Sequence, residues 1–237
     1  MEPVPFPDFF KELGEELGRL GVRTECDMTK TLLSLAVLHH KNAVEKRSTI
    51  VDVNNVKTTS TDIDLIYMIL LQRSELNIEQ LKKFVMRNRF YLKEGYFSSL
   101  LAFTKKHLDM VMEPLYLSYL VYLDGRTYKT TGLSVLVQAM IFDTIFSYYE
   151  PTLQRYAEIF DMLFDVINTV NMKYREAISE GTLYHVTLSV LKEVAKRRGK
   201  EYDHFLGSIA FDVLSKTVAT EYMDENDYIT RRFAMLV

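Results

Sequence analysis

The sequence predicts a mainly α-helical protein with a small β-hairpin near its middle and a helical bundle toward its C-terminus. Three observations predict this. The 237 residues hold only 9 Gly and 5 Pro, and Pro3, Pro5 and Pro7 account for three of the latter, so few positions break a helix. Apolar residues recur at helical spacing along most of the chain. One segment, Leu117 to Gly132, instead alternates, with Asp124-Gly125 between two strand-like runs, a strong short hairpin signal.

The length allows one large or two small domains, either with a real core. A hydrophobic fraction of 48% with 14 Phe and 15 Tyr argues against intrinsic disorder. The single cysteine, Cys26, excludes an internal disulfide and a multi-cysteine zinc site. It also suits a reducing compartment, and a cytoplasmic location is expected. Met1 to Asp8 lacks the basic start and apolar core of a signal peptide. No apolar run is long enough for a membrane span, so no membrane partner is expected.

Along the chain, residues 1–60 read as an N-terminal helical segment. Its first helix is expected over Phe9–Leu20, capped by Asp8 and ended by Gly21. A second, over Asp27–Asn42, is apolar almost all round and so expected to be buried. Ser48 to Thr59 fits two strands joined at Asn54-Asn55, or a loop with a short helix. Residues 61–132 form the middle module: helices at Ile63–Leu71, Ile78–Asn88 and Tyr96 to about Leu108, then the hairpin. Ser60-Thr61-Asp62 can cap the first of these. Residues 133–237 read as a C-terminal helical region. Its first helix runs from Leu133 to Tyr149, where Glu150-Pro151 is expected to break it. Two further helices are expected over Thr182–Arg198 and Tyr202–Ala219. The tail carries Asp224 and Asp227.

Charge is concentrated. Net charge is −3, yet the stretch from Asn77 to His107 holds seven Lys and Arg against two Glu. A basic island in an acidic chain fits a localised anionic partner. The order of three helices, then Asp124-Gly125-Arg126 and Thr130-Thr131-Gly132-Leu133, resembles the winged helix-turn-helix family of archaeal and bacterial DNA-binding proteins over about a third of the chain. That resemblance implies nucleic-acid binding, with double-stranded DNA as the partner, by a transcriptional regulator or an accessory replication or genome-maintenance factor. It places the third helix in the major groove, with Ser98, Ser99, Lys105 and Lys106 as contacts. Arg126 stands at the wing tip and Lys129 on the returning strand. Lys82, Lys83, Arg87 and Arg89 flank the groove as phosphate contacts. The third helix has no Arg, Asn or Gln, the usual bidentate base readers, so backbone contacts and weak sequence preference are expected.

Leu153, Tyr156, Phe160, Leu163, Ile167, Val170 and Tyr174 repeat at alternating spacings of three and four, a heptad seam. It reads either as a homodimer contact, which the family's use of two half-sites favours, or as an internal packing stripe. The other chemistry-bearing residues have plainer readings. Asp161 and Asp165, with Asp143 upstream, fit a solvated helix face better than a metal site. His39-His40 suits a helix C-terminus. His107 could touch phosphate. Lys192 to Lys200 reads first as a basic helix end. No triad, metal motif or Walker A sequence occurs, so a non-enzymatic protein without cofactor or metal is expected. The alternative is an all-helical structural or adaptor protein acting through protein–protein contacts.

Overall fold

The computed structural model describes residues 2–87, 94–174 and 180–219. The protein is mainly helical with small β elements. Helix α1 (Phe6–Arg19) starts three residues before the expected point. Pro7 fits its first turn and Asp8 lies within that turn rather than capping it. Phe6, Phe9, Leu13 and Leu17 form its buried stripe. Gly21 ends it at φ +76°, with Val22 N–H donating to the Leu17 carbonyl and Gly21 N–H to that of Gly18. This is a Schellman closure, which needs the left-handed residue that Gly supplies.

Helix α2 (Asp27–Ala43) is buried from Leu32 to Leu38 and packs against α1 and against helices of the middle and C-terminal segments. Strands β2 (Ile50–Val53) and β3 (Val56–Thr59) form the hairpin, joined by Asn54 and Asn55 at φ +51° and +66°. Two positive φ values in a two-residue loop match the right-handed twist of the strands, and Asn tolerates them. The short strand β1 (Val4–Pro5) adds parallel to β2.

Helix α3 (Ser60–Arg73) begins with a capping box. Thr59, one residue earlier than expected, accepts from Asp62 N–H, and the Asp62 carboxylate accepts from Thr59 N–H. Ser74 closes the helix at φ +59°. A serine pays a steric cost there that glycine does not. Ser74→Gly is therefore expected to raise stability by about 0.5–1 kcal/mol in urea unfolding. A loss of stability would contradict that reading.

Strand β4 (Glu75–Leu76) follows, then α4 (Ile78–Arg87), whose start is capped by Asn77 Oδ1 accepting from Gln80 N–H at 2.7 Å. Helix α5 (Glu94–Leu117) runs about two turns beyond the expected end and carries Pro114 inside it. Val111, Met112 and Leu115 are fully buried in that extension. Their burial is worth more than the lost proline bond, which is why the helix continues. Strands β5 (Val121–Asp124) and β6 (Thr127–Thr130) form the second hairpin, and β4 pairs with β6, giving the order β4-β6-β5. Asp124 pairs with Thr127, so the loop is Gly125-Arg126, one residue later than expected. Only Gly125 of the two takes positive φ, +60°, which suits a turn with Gly in first position.

Helices α6 (Leu133–Phe146), α7 (Tyr149–Tyr174), α8 (Glu180–Arg197) and α9 (His204–Ala219) complete the described chain. The break between α6 and α7 falls at Ser147-Tyr148, not at Pro151. Pro151 sits in the first turn of α7, where its missing N–H costs no helix bond. Asp224 and Asp227 lie outside the described residues.

The heptad seam is filled from within the chain. Leu153, Tyr156, Phe160, Leu163, Ile167 and Val170 are buried, Tyr174 at the helix end is exposed, and α7 packs on α2, α6, α8 and α9. The seam expected to meet a second copy is thus an internal stripe, as its large aromatics suit. The buried apolar side chains of all three segments join in one core.

Candidate nucleic-acid interface

Helix α4 separates its two faces cleanly. Leu81 is buried and Phe84 half-buried, while Lys82, Lys83, Met86 and Arg87 are exposed. Positions 82, 83, 86 and 87 fall within one arc of the helix. Lys82 is held by Glu79 at 2.7 Å, one turn earlier. Among the described residues, Lys83 and Arg87 form no ion pair.

On α5, Phe103, Thr104, His107 and Leu108 face inward, and Ala102, Lys105, Lys106 and Asp109 face solvent. Ser98 and Ser99 belong to the first turns of this helix, seven residues before Lys105 and Lys106. Their side chains lie outside the described residues, as does Arg89 altogether. His107 is buried, so it is not a phosphate contact. Burial, with the nearby Lys106 charge, lowers its pKa.

The second hairpin is fixed to both helices. Tyr128 Oη donates to Asp109 Oδ1 at 2.6 Å, linking β6 to the solvent-facing row of α5 one turn beyond Lys105 and Lys106. Leu123, opposite Tyr128, lines the same shallow groove with Met110 and Tyr116. Asn77 Nδ2 donates to Thr127 Oγ1 at 3.3 Å, joining the start of α4 to the hairpin. From the other side, Tyr67 Oη donates to the Val111 carbonyl at 2.8 Å and anchors α5 to α3. Arg126 is exposed at the hairpin tip, and among the described residues it takes no ion pair.

Lys129 departs from its expected part. It lies on the sheet face opposite Tyr128, beside Tyr122 and Glu75 across the strands. Its ammonium donates to Asp124 Oδ2 at 2.6 Å, and that bond raises its pKa. Its charge is already balanced within the hairpin.

The remaining charged groups are mostly structural. Asp161 is buried, not solvated. It accepts from Thr24 Oγ1 at 2.5 Å and Glu25 N–H at 3.0 Å, pinning the α1–α2 connection to α7. Asp165 binds Arg197 and Arg198, Asp143 binds Arg155 and Tyr156 Oη, and Lys200 binds Glu158. The three aspartates serve separate partners, and the basic end of α8 is tied to α7. Among the described residues, no three His, Cys, Asp or Glu side chains gather as a metal would need.

One pair joins residues 25 positions apart that no motif links. His39 Nδ1 meets Asp64 Oδ2 at 3.0 Å between α2 and α3, both largely buried. The Asp64 hydrogen bond raises the His39 pKa, against an opposing effect of burial. A raised folded-state pKa stabilises the protein fully below the unfolded value of about 6.5, and that contribution fades as pH climbs through the folded pKa. Replacing Asp64→Asn should therefore cost more stability near pH 6 than near pH 8, by about 1 kcal/mol in paired urea titrations. Equal losses at both pH values would show that the pair carries no charge-linked stability.

Among the described residues, no helix is long and apolar enough to cross a membrane. Comparison with known proteins gives no match to a family model, a curated protein or a solved structure.

Proposed function

We propose that this protein binds double-stranded DNA without catalysis, as a transcriptional regulator or an accessory factor in replication or genome maintenance in the cytoplasm. The observation that carries the reading is an arrangement. A helix, a short strand, two helices and a hairpin follow one another as α3, β4, α4, α5, β5 and β6, with β4 paired to β6. This order resembles that of a winged helix, and the exposed cations lie on α4, α5 and the hairpin tip. Lys83, Arg87, Lys105, Lys106 and Arg126 are the contacts we assign, because each is exposed and forms no ion pair among the described residues. Lys82 contributes less, since Glu79 competes for it. Helix dipoles and amide groups add little sequence information, so the binding is expected to follow the phosphate backbone.

The test is an anisotropy titration of a labelled mixed-sequence duplex at low salt, with the same strand unpaired as competitor. Tight, duplex-preferring binding supports the reading. No binding at low salt removes it.

A second reading, an adaptor acting through protein contacts, has one observation in its favour. Helix α6 leaves Val135, Phe142 and Phe146 exposed. Such an apolar row is uncommon on a surface that meets only water.

A further inference from the structure

Helix α6 buries one side in the core and exposes another that is just as apolar. The exposed row is Val135, Ala139, Phe142 and Phe146, continued past the helix end by Tyr148. Phe142, Phe146 and Tyr148 are 63%, 72% and 86% exposed. The row's spacings of four, three and four are those of a helix-packing seam. The Phe142 and Phe146 rings already lie against each other at 4.7 Å.

We infer that this row is the contact with a second copy of the chain, α6 packed antiparallel on α6 of its twin about a two-fold axis.

Side-chain size supports this arrangement. The row is small at its N-terminal end and large at its C-terminal end. An antiparallel partner places Phe142 over Ala139 of the twin and Phe146 over Val135 of the twin, and one register satisfies both pairings. A parallel pairing would stack Phe on Phe and leave a void at Ala139. A two-fold axis demands such self-complementarity. Polar neighbours permit the contact. Gln138 donates to the Leu71 carbonyl, and Asp143 is neutralised by Arg155 at 2.7 Å, so covering the row strands neither group. Each copy brings a neutral ion pair, so two copies meet without like-charge repulsion. The area suffices: three aromatics with these exposures, plus Val135 and Ala139, remove on the order of 500 Å² per copy. That gives a total of roughly 1,000 Å², the lower bound for a specific interface.

The experiment is sedimentation-velocity measurement of the free protein from low to high micromolar concentration, without DNA, so that its outcome is independent of the nucleic-acid reading. Wild type is expected to sediment as a dimer at the upper end. Phe142→Glu and Ala139→Lys should each sediment as monomers with unchanged circular dichroism, since both side chains project outward. An equimolar mixture of the two variants should recover a heterodimer, because position 142 of one copy faces position 139 of the other. A wild type that stays monomeric throughout, as it would if another segment or a foreign helix covered the row, overturns the inference. So does a Phe142→Glu variant that remains dimeric. A mixture that stays monomeric overturns the antiparallel register.

Discussion

Reversing two charges on one helix turn, Lys105→Glu with Lys106→Glu, is expected to weaken duplex binding by roughly 10- to 100-fold at low salt. Both side chains are exposed, and neither forms an ion pair among the described residues. The folded state thus loses no partner when they change. The expected loss comes from electrostatics alone. Each lysine near the duplex releases condensed counterions, and a glutamate in its place adds repulsion. Binding to every sequence should fall by a similar factor, because lysine contacts to phosphate position the protein without reading bases. Thermal stability should stay within about 0.5 kcal/mol of wild type, as for other surface changes. An unaltered affinity in a folded double variant would place the DNA contact elsewhere.

The second large effect concerns the core. Phe160 is fully buried at the centre of the α7 stripe, between Tyr156 and Leu163. Truncating it to alanine removes its transfer free energy and leaves a cavity, so Phe160→Ala should cost about 3–5 kcal/mol in urea unfolding. The loss should be the same at low and high protein concentration, because the stripe packs within one chain. A loss that shrinks as the protein is diluted would mean that α7 meets a second copy after all. Phe142→Ala, by contrast, should leave the stability of the monomer nearly unchanged, because the ring is already mostly in solvent. The pair of variants separates a seam that builds the core from one that faces outward.

These two rows show that heptad spacing alone does not say which apolar stripe packs within the chain. Both have heptad spacing. The α7 row is longer and more regular, yet its length reflects four helices packing around it. The α6 row is hidden in the sequence because the helix is apolar on every side, and periodicity cannot say which apolar face stays dry. The second hairpin was legible because Gly125 announces positive φ, with only its turn register shifted by one residue, whereas Asn54-Asn55 left two strands and a loop with a short helix equally open. Helix ends were harder. Proline is usually a boundary signal, but Pro114 lies inside α5 because burial outweighs one lost bond, and Pro151 opens α7 because the first turn needs no such bond. The exposed basic residues of α4 and α5 could be read from composition. The neutralisation of Lys129 on β6 could not, since a strand register brings it to Asp124. The same holds for Tyr128 with Asp109 and His39 with Asp64, whose partners lie 19 and 25 residues apart.

On the proposed function, α4, α5 and the hairpin tip present one cationic surface to one duplex. The most direct measurement is the slope of log affinity against log salt for wild type and for charge-neutral variants at three places: Lys83→Gln with Arg87→Gln on α4, Lys105→Gln with Lys106→Gln on α5, and Arg126→Gln at the tip. If all five side chains meet phosphates, each removed charge should lower the magnitude of the slope by about one unit. The helix pairs should then lose about two units apiece and the tip variant about one. A slope that stays at the wild-type value in all three would place the nucleic-acid contact off this surface.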